Sequence, residues 1–123
     1  MRKALFGILA LCAAVPAAAQ DWPAKPVRML ITFPPGGPSE ILTGLVNERL
    51  QAAPKQPFVV ENRAGAGGNI GGDGVAKGAP DGYLFGITTD TLFTVNPLVY
   101  RRMPFDPWAG IRPVTLLGRF SQK

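Results

Sequence analysis

Two hydrophobic periods alternate along the chain. Val27-Arg28-Met29-Leu30-Ile31-Thr32-Phe33 is a nearly continuous apolar run, the pattern of a strand covered on both faces of a parallel sheet. Ile41, Leu42, Leu45, Val46 and Leu50 then recur at three- and four-residue spacing. They predict a helix with one apolar face, its Asn47, Glu48 and Arg49 turned partly to water and its end set by Pro54. Phe58-Val59-Val60 reads as a short second strand that closes at Glu61-Asn62-Arg63. A glycine-dense segment, 65–72, leads into a second helix expected around residues 73–79. Its glycines at 71, 72 and 74 cost about 1 kcal/mol each relative to alanine, so they are expected to permit tight packing against the sheet. Pro80-Asp81-Gly82 signals a turn, and Tyr83-Leu84-Phe85-Gly86-Ile87-Thr88 a third strand. Asn96-Pro97-Leu98-Val99-Tyr100 suggests a short helix, residues 103–108 a proline-rich connection, and Val114-Thr115-Leu116-Leu117-Gly118 a fourth strand. The β-α-β-α-β order is that of an α/β fold, a mainly parallel open sheet flanked by helices.

The junction of the first strand and first helix holds the most specific local chemistry. Phe33-Pro34-Pro35-Gly36-Gly37-Pro38-Ser39-Glu40 spans it. Pro34 and Pro35 fix φ and remove donors, Gly36 and Gly37 allow positive φ and close approach of a ligand, and Ser39 is expected to cap the helix. A helix N-terminus carries roughly half a positive charge and several unpaired N–H groups, so its natural ligand is a carboxylate or phosphate. The same composition also suits an ordinary strand-to-helix turn. In open parallel sheets ligands bind beyond the carboxyl ends of strands, so the loops at 34–39 and 88–91 are expected to meet over one site. There Gly36, Gly37, Pro38 and Ser39 would offer backbone groups or a hydroxyl, Thr88 and Thr89 hydroxyls, and Asp90 a selective charge.

The first nineteen residues follow another logic. Arg2 and Lys3 form a basic n-region, residues 4–15 an apolar h-region, and Ala17-Ala18-Ala19 a small-residue cleavage site, the pattern of a secretory signal peptide. The apolar run is about a dozen residues, whereas a spanning helix needs about twenty. Cleavage after Ala19 leaves residues 20–123 as an exported chain, expected in the periplasm. It also removes Cys12, the only cysteine of a chain without histidine. Ser-His-Asp and Cys-His catalysis and the usual His- or Cys-based metal sites are thereby excluded, and no catalytic residue, metal or cofactor is assigned. A cysteine-free exported chain relies on its core, which suits a bacterial periplasmic domain. The formal charge of +5 becomes +3 once Arg2 and Lys3 are gone. With no basic stripe interleaved with aromatics, nucleic-acid binding is not expected.

Two other chemistries fit poorly. Gly65-Ala66-Gly67-Gly68-Asn69-Ile70 nearly matches the dinucleotide pattern G-x-G-x-x-G, but Ile70 stands where the third glycine belongs. It reads instead as a glycine-lined turn passing close to the first loop. Glu40, Glu61 and Asp90 are the only plausible acids or bases near the loops, and paired carboxylates can run glycoside hydrolysis. Nothing in their spacing supports that and no aromatic sugar platform accompanies them. A carboxylate-dependent exported hydrolase is the minor alternative to a non-enzymatic binding protein.

Several motifs in order carry a resemblance over essentially the whole exported chain. They are Trp22-Pro23-Ala24-Lys25-Pro26-Val27-Arg28, Phe33-Pro34-Pro35-Gly36-Gly37, Glu61-Asn62-Arg63 with Gly65-Ala66-Gly67-Gly68-Asn69-Ile70-Gly71, Ala79-Pro80-Asp81-Gly82-Tyr83, Asn96-Pro97 and Pro113-Val114-Thr115-Leu116-Leu117. Together they resemble the tripartite tricarboxylate transporter substrate-binding family, the Bug receptors. The resemblance implies a periplasmic solute receptor of the type II periplasmic-binding-protein fold, not an enzyme. Two α/β lobes would close on a small carboxylate, such as a di- or tricarboxylate, an amino acid or an aromatic acid, and deliver it to a membrane permease. It also implies that the Phe33-Pro34-Pro35-Gly36-Gly37 loop holds a ligand carboxylate through backbone groups and bridging waters. The candidate set is therefore Phe33, Pro34, Pro35, Gly36, Gly37, Pro38, Ser39, Thr88, Thr89 and Asp90. Pro38-Ser39-Glu40 departs from the family's usual small-Thr-Asp triplet, and Ile87-Thr88-Thr89-Asp90 from its usual Gly-Thr with small residues. An Asp90 facing the pocket would repel a dianion, which points to a neutral or cationic ligand group there, for instance that of an amino acid.

Length bounds the rest. A two-lobe receptor needs roughly 250 to 300 residues, since each lobe is a domain of order 100 to 150. Residues 20–123 are expected to form an incomplete N-terminal portion of the first lobe, with the second lobe absent and solute capture beyond the segment alone. Leu116 and Leu117 should then lie uncovered. A nonfunctional product of a truncated gene is the competing reading.

Overall fold

The computed structural model describes residues 21–53 and 56–119. The expected signal peptide and Pro54 lie outside the described residues. Within them β1 (Val27–Ile31), α1 (Pro38–Ala52), β2 (Phe58–Asn62), α2 (Asn69–Ala76) and β3 (Leu84–Ile87) alternate. Three short helices follow: α3 (Thr91–Thr94), α4 (Asn96–Val99) and α5 (Pro107–Gly110). The strands form one parallel sheet in the order β2-β1-β3, with Met29 in register with Val60 on one side and Phe85 on the other. The α/β class and parallel sheet read from the sequence are those the chain adopts.

β1 is the middle strand because its side chains can be buried on both faces. Val27, Met29, Leu30 and Ile31 are all inside, and fully burying one such side chain contributes about 1.5–3 kcal/mol. Successive strand residues point to opposite faces. Val27 and Met29 join Phe58 in a core to which α1 adds Val46 and Leu50. Leu30 and Thr32 look the other way, toward α2. There a Cβ on Gly86 would stand 2.8 Å from Val75 Cγ2, and one on Gly71 would stand 2.9 Å from Thr32 Cγ2. One helix covers each face.

Three expectations are corrected. α2 begins at Asn69 rather than near Asp73, directly after a 3₁₀ turn at Ala66–Gly68. The glycine run is the helix entry, and its composition answers to close contacts: a Cβ on Gly72 would meet Phe105 Cζ at 2.6 Å. Helical turns also form at α3, where none was expected, and at α5, which begins in the last residues of the expected proline-rich connection. α5 starts because the Asp106 carboxylate accepts from the amides of Trp108 (2.9 Å) and Ala109 (3.2 Å), with Pro107 in its first turn. Finally, residues 114–118 form no strand. A strand needs a neighbour to exchange hydrogen bonds with, and none of the described strands pairs with this segment. Gly118 packs instead against Leu42 of α1, Leu117 is half-buried and Leu116 is 67% exposed.

Candidate functional site

β2 lies on one side of β1 and β3 on the other, so the strand order reverses between β1 and β3. At such a point the connections leave the two carboxyl ends toward opposite faces, and a crevice opens between them. Phe33, Pro34, Pro35, Gly36, Gly37, Pro38 and Ser39 from the β1 loop and Thr89 from the β3 loop line a cleft of about 480 Å³ there. The two loops picked out from the sequence do meet.

Backbone bonds fix the base of the first loop. Thr32 N–H donates to Ile87 O (3.0 Å), Arg63 N–H to Ile31 O (2.8 Å) and the Asn62 side-chain amide to Phe33 O (3.3 Å). Beyond the prolines, Gly36 turns the chain with φ +87°, a left-handed value that suits glycine. Pro38 then starts α1, where its missing N–H would have been unpaired in any case. Because the helix starts there, its N-cap is Gly37, no side chain caps it, and the cap expected of Ser39 is not made. Ser39 sits inside the first turn, and its carbonyl accepts from Thr43 Oγ1 at 2.6 Å. The return bond comes from Glu40, whose carboxylate accepts the Gly36 N–H. Glu40 and Ile41 N–H groups donate to Gly37 O. The N–H groups of Gly37 and Ser39 have no acceptor among the described residues, so they are the orphan donors of this helix end.

The β3 side contributes one lining residue. Thr89 Oγ1 is buried without a hydrogen-bond partner among the described residues, which is costly unless something completes it. Thr88 does not line the cleft, since its hydroxyl meets Thr32 Oγ1 at 3.0 Å. Asp90 does not line it either; it is exposed at the N-cap of α3. Thr32 is 1% exposed, and sequence reading missed it because a threonine inside an apolar strand gives no sign of its partner. No lining residue is charged. Attraction for an anion therefore rests on the helix end and its free amides.

A second hollow of about 330 Å³ lies at the opposite strand ends, with Lys25, Arg28, Asp81 and Tyr83 in its wall. Its cations are already matched. Lys25 Nζ stands 3.0 Å from Asp81, and Arg28 grips Glu61 through Nε (2.7 Å) and an Nη (2.8 Å). Hydrogen bonds from Arg28 and Lys25 hold the Glu61 and Asp81 carboxyls below their ordinary values. Among the described residues no group of three or more His, Cys, Asp or Glu could hold a metal ion, and no helix is long and apolar enough to cross a membrane.

The sequence pattern of the tripartite tricarboxylate transporter family receptor matches residues 42–122. The chain belongs to this family. Protein BugT of Bordetella pertussis is 36% identical over 118 residues, which are 94% of this chain and 36% of BugT. A UPF0065 protein of Bordetella bronchiseptica is 36% identical over 114 residues, 92% of this chain and 34% of the relative. Among solved structures, R. palustris Rpa4515 with adipate is 42% identical with a TM-score of 0.68, over 72% of this chain and 29% of that one. The periplasmic binding protein BugD is 32% identical with a TM-score of 0.62, over 71% and 29%. The part of the fold described for this chain is thus shared with a solved periplasmic binding protein. The family pattern begins inside α1, after the cleft loop, whereas the BugT similarity takes in the loop as well. The chain spans about a third of the length of these curated relatives.

Proposed function

We propose that this chain is part of the first lobe of an exported solute receptor that captures a small carboxylate for the permease of a tripartite tricarboxylate transporter. One observation carries the reading. At the β1/β3 crevice, the unpaired N–H groups of Gly37 and Ser39 open α1 in the same cleft that the unpartnered hydroxyl of Thr89 lines. A ligand carboxylate accepts from the two amides, Thr89 Oγ1 bonds a polar group of the same ligand, and Phe33, Pro34 and Pro35 supply an apolar wall. Gly36 and Pro38 shape the loop around it. Thr88 acts through Thr32, and Asp90, next to Thr89 but exposed and outside the lining, sets a negative charge at the rim.

The ligand class follows from this chemistry and from the relatives. Rpa4515 is described with adipate, an aliphatic dicarboxylate, and di- or tricarboxylates, amino acids and aromatic acids all present the carboxylate that the helix end takes. The chain is not an enzyme in this reading. Glu40 is engaged by Gly36, Glu61 by Arg28, and no carboxylate pair lines the cleft, which leaves hydrolysis without its acid and base. Residues 1–19 serve as the signal peptide, residues 20–123 form the incomplete lobe, and the receptor works in the periplasm, as the description of BugD supports.

Calorimetric titration of the whole exported protein with aliphatic dicarboxylates, tricarboxylates, acidic amino acids and benzoate tests the proposal. Saturable binding of at least one of these is expected, and silence across the series would count against it. Sequencing the locus past codon 123 tests the lobe assignment. An open frame of about two hundred further codons would supply the second lobe, and a stop at that point would reduce the transport reading to ancestry.

A further inference from the structure

We infer that Asn96 is a positioning residue of the cleft, setting the place of the Thr89 wall through the glycine turn at 65–68 and the Thr32–Thr88 hydroxyl pair. This rests on reading the cleft as the binding site. Asn96 opens α4 yet is 3% exposed. Its side-chain amide donates to Gly67 O at 2.9 Å and to Asn69 Oδ1 at 2.8 Å. Those are both N–H groups the amide has. Asn69 is itself 4% exposed, so the pair forms a buried polar clamp from α4 onto the entry of α2.

The clamp holds an uncommon stretch of backbone. Gly65, Ala66, Gly67 and Gly68 follow one another with φ of 132°, 48°, 62° and 92°. Glycine loses more freedom on ordering than any other residue, and a non-glycine in this region is strained. Gly68 N–H donates to Gly65 O at 3.0 Å, which closes the turn upon itself. The bonds from Asn96 tie it to the far side of the fold. A Cβ on Gly67 would lie 3.1 Å from the Tyr100 hydroxyl oxygen and 3.4 Å from Asn96 Oδ1, so α4 and the residue after it cover the turn closely.

The other side of the turn presses on Thr32. A Cβ on Gly68 would stand 3.3 Å from Thr32 Oγ1. Thr32 Oγ1 meets Thr88 Oγ1 at 3.0 Å. Thr32 directly precedes Phe33 and Thr88 directly precedes Thr89, and Phe33 and Thr89 line the cleft from its two loops. One part-buried hydroxyl pair therefore joins the two walls, and the turn held by Asn96 limits how that pair can move. When the turn relaxes, Thr32 gains room, the pair opens and Thr89 Oγ1 leaves its place.

The variants are Asn96→Ala, Thr32→Val, which removes the hydroxyl, and Thr32→Ser, which keeps it. The first readout needs no ligand: backbone amide NMR signals of the isotope-labelled whole exported protein. Asn96→Ala should move the signals of Thr88 and Thr89 together with those of residues 67–69, Thr32→Val should move Thr88 and Thr89, and Thr32→Ser should leave Thr89 near its original position. The second readout is the affinity for succinate and glutarate. Asn96→Ala and Thr32→Val are each expected to weaken it about three- to tenfold, Thr32→Ser to leave it near the original value, and the Asn96→Ala/Thr32→Val double variant to bind no more weakly than the more impaired of its two singles, because both act on one path. Thr88 and Thr89 signals unmoved by Asn96→Ala, or losses that simply multiply in the double variant, would overturn the inference. If Asn96→Ala does not fold, Thr32→Val decides, and unmoved Thr89 signals in it are fatal. Signals that shift as expected in a protein that binds neither acid would support the coupling and count against the binding reading.

Discussion

Alanine at Gly71 and at Gly44 makes the same chemical change in two helices and should move stability in opposite directions. Gly44 lies on an exposed turn of α1 with nothing within 4 Å of the site where a Cβ would be. Alanine there only restricts the unfolded chain and improves helix propensity, a gain of about 0.5–1 kcal/mol. Gly71 is buried in α2, where the added carbon would stand 2.7 Å from Arg63 O, 2.9 Å from Thr32 Cγ2 and 3.0 Å from Thr32 Cα. Two of those atoms are backbone and cannot rotate away. Overpacking costs typically 1–3 kcal/mol, and contacts this short with immovable backbone put Gly71 in the upper part of that range, about 2–3 kcal/mol, of which the helix-propensity gain of about 1 kcal/mol offsets only part. The net loss for Gly71→Ala is on the order of 1–2 kcal/mol, which lowers Tm by about 4–16 °C in a domain of this size. Thermal unfolding followed by circular dichroism reads both variants. A Gly71→Ala protein as stable as Gly44→Ala would refute the claim that α2 touches β1 through its glycines.

Ser39→Ala should leave Tm unchanged, because Ser39 makes no cap, and thermal unfolding beside ligand titration separates that from any loss of contact in the cleft. Asp106→Ala removes the side-chain cap of α5 and should cost about 0.5–2 kcal/mol; Trp108, whose ring lies tilted by 56° against Phe93 with centroids 5.2 Å apart, reports the loss as a change in fluorescence. Glu61 has a folded pKa below its ordinary 4.5 because Arg28 donates to it. Its contribution is therefore present above that value and lost as pH falls through the folded pKa. Glu61→Gln should flatten the acid limb of a Tm-against-pH curve slightly, as befits an exposed pair, and an unchanged acid limb would show that the pair contributes nothing.

What was legible in the sequence was whatever local pattern decides. β1 could be read because a strand buried on both faces needs an unbroken apolar run, and α1 because its apolar residues recur at helical spacing. The 65–72 run could not be read as a helix entry. Its glycines answer to contacts with Thr32, Arg63 and Phe105 that no local window contains. The start of α1 was misjudged by two residues for a local reason: Pro38 is as good a first helical residue as Ser39 is a cap, and the proline won. Asp106-Pro107 carries the capping signal for α5, but prolines at 104 and 107 within four residues are equally the composition of a loop. Residues 114–118 have strand composition without a strand partner, and composition cannot supply one. Within the cleft, the Pro/Gly loop and Thr89 were visible as chemistry. The Thr32–Thr88 pair and the Asn96 clamp depend on burial and register, which only the fold reveals.

The proposed carboxylate site lies where α1 opens beside β3. Following backbone amide signals of the whole exported protein during a titration with an aliphatic dicarboxylate tests it most directly. Gly37, Ser39 and Thr89 should shift together and saturate at one concentration while Lys25, Asp81 and Tyr83 stay still; saturating shifts at the Lys25–Tyr83 hollow with the α1 amides unmoved would contradict the account.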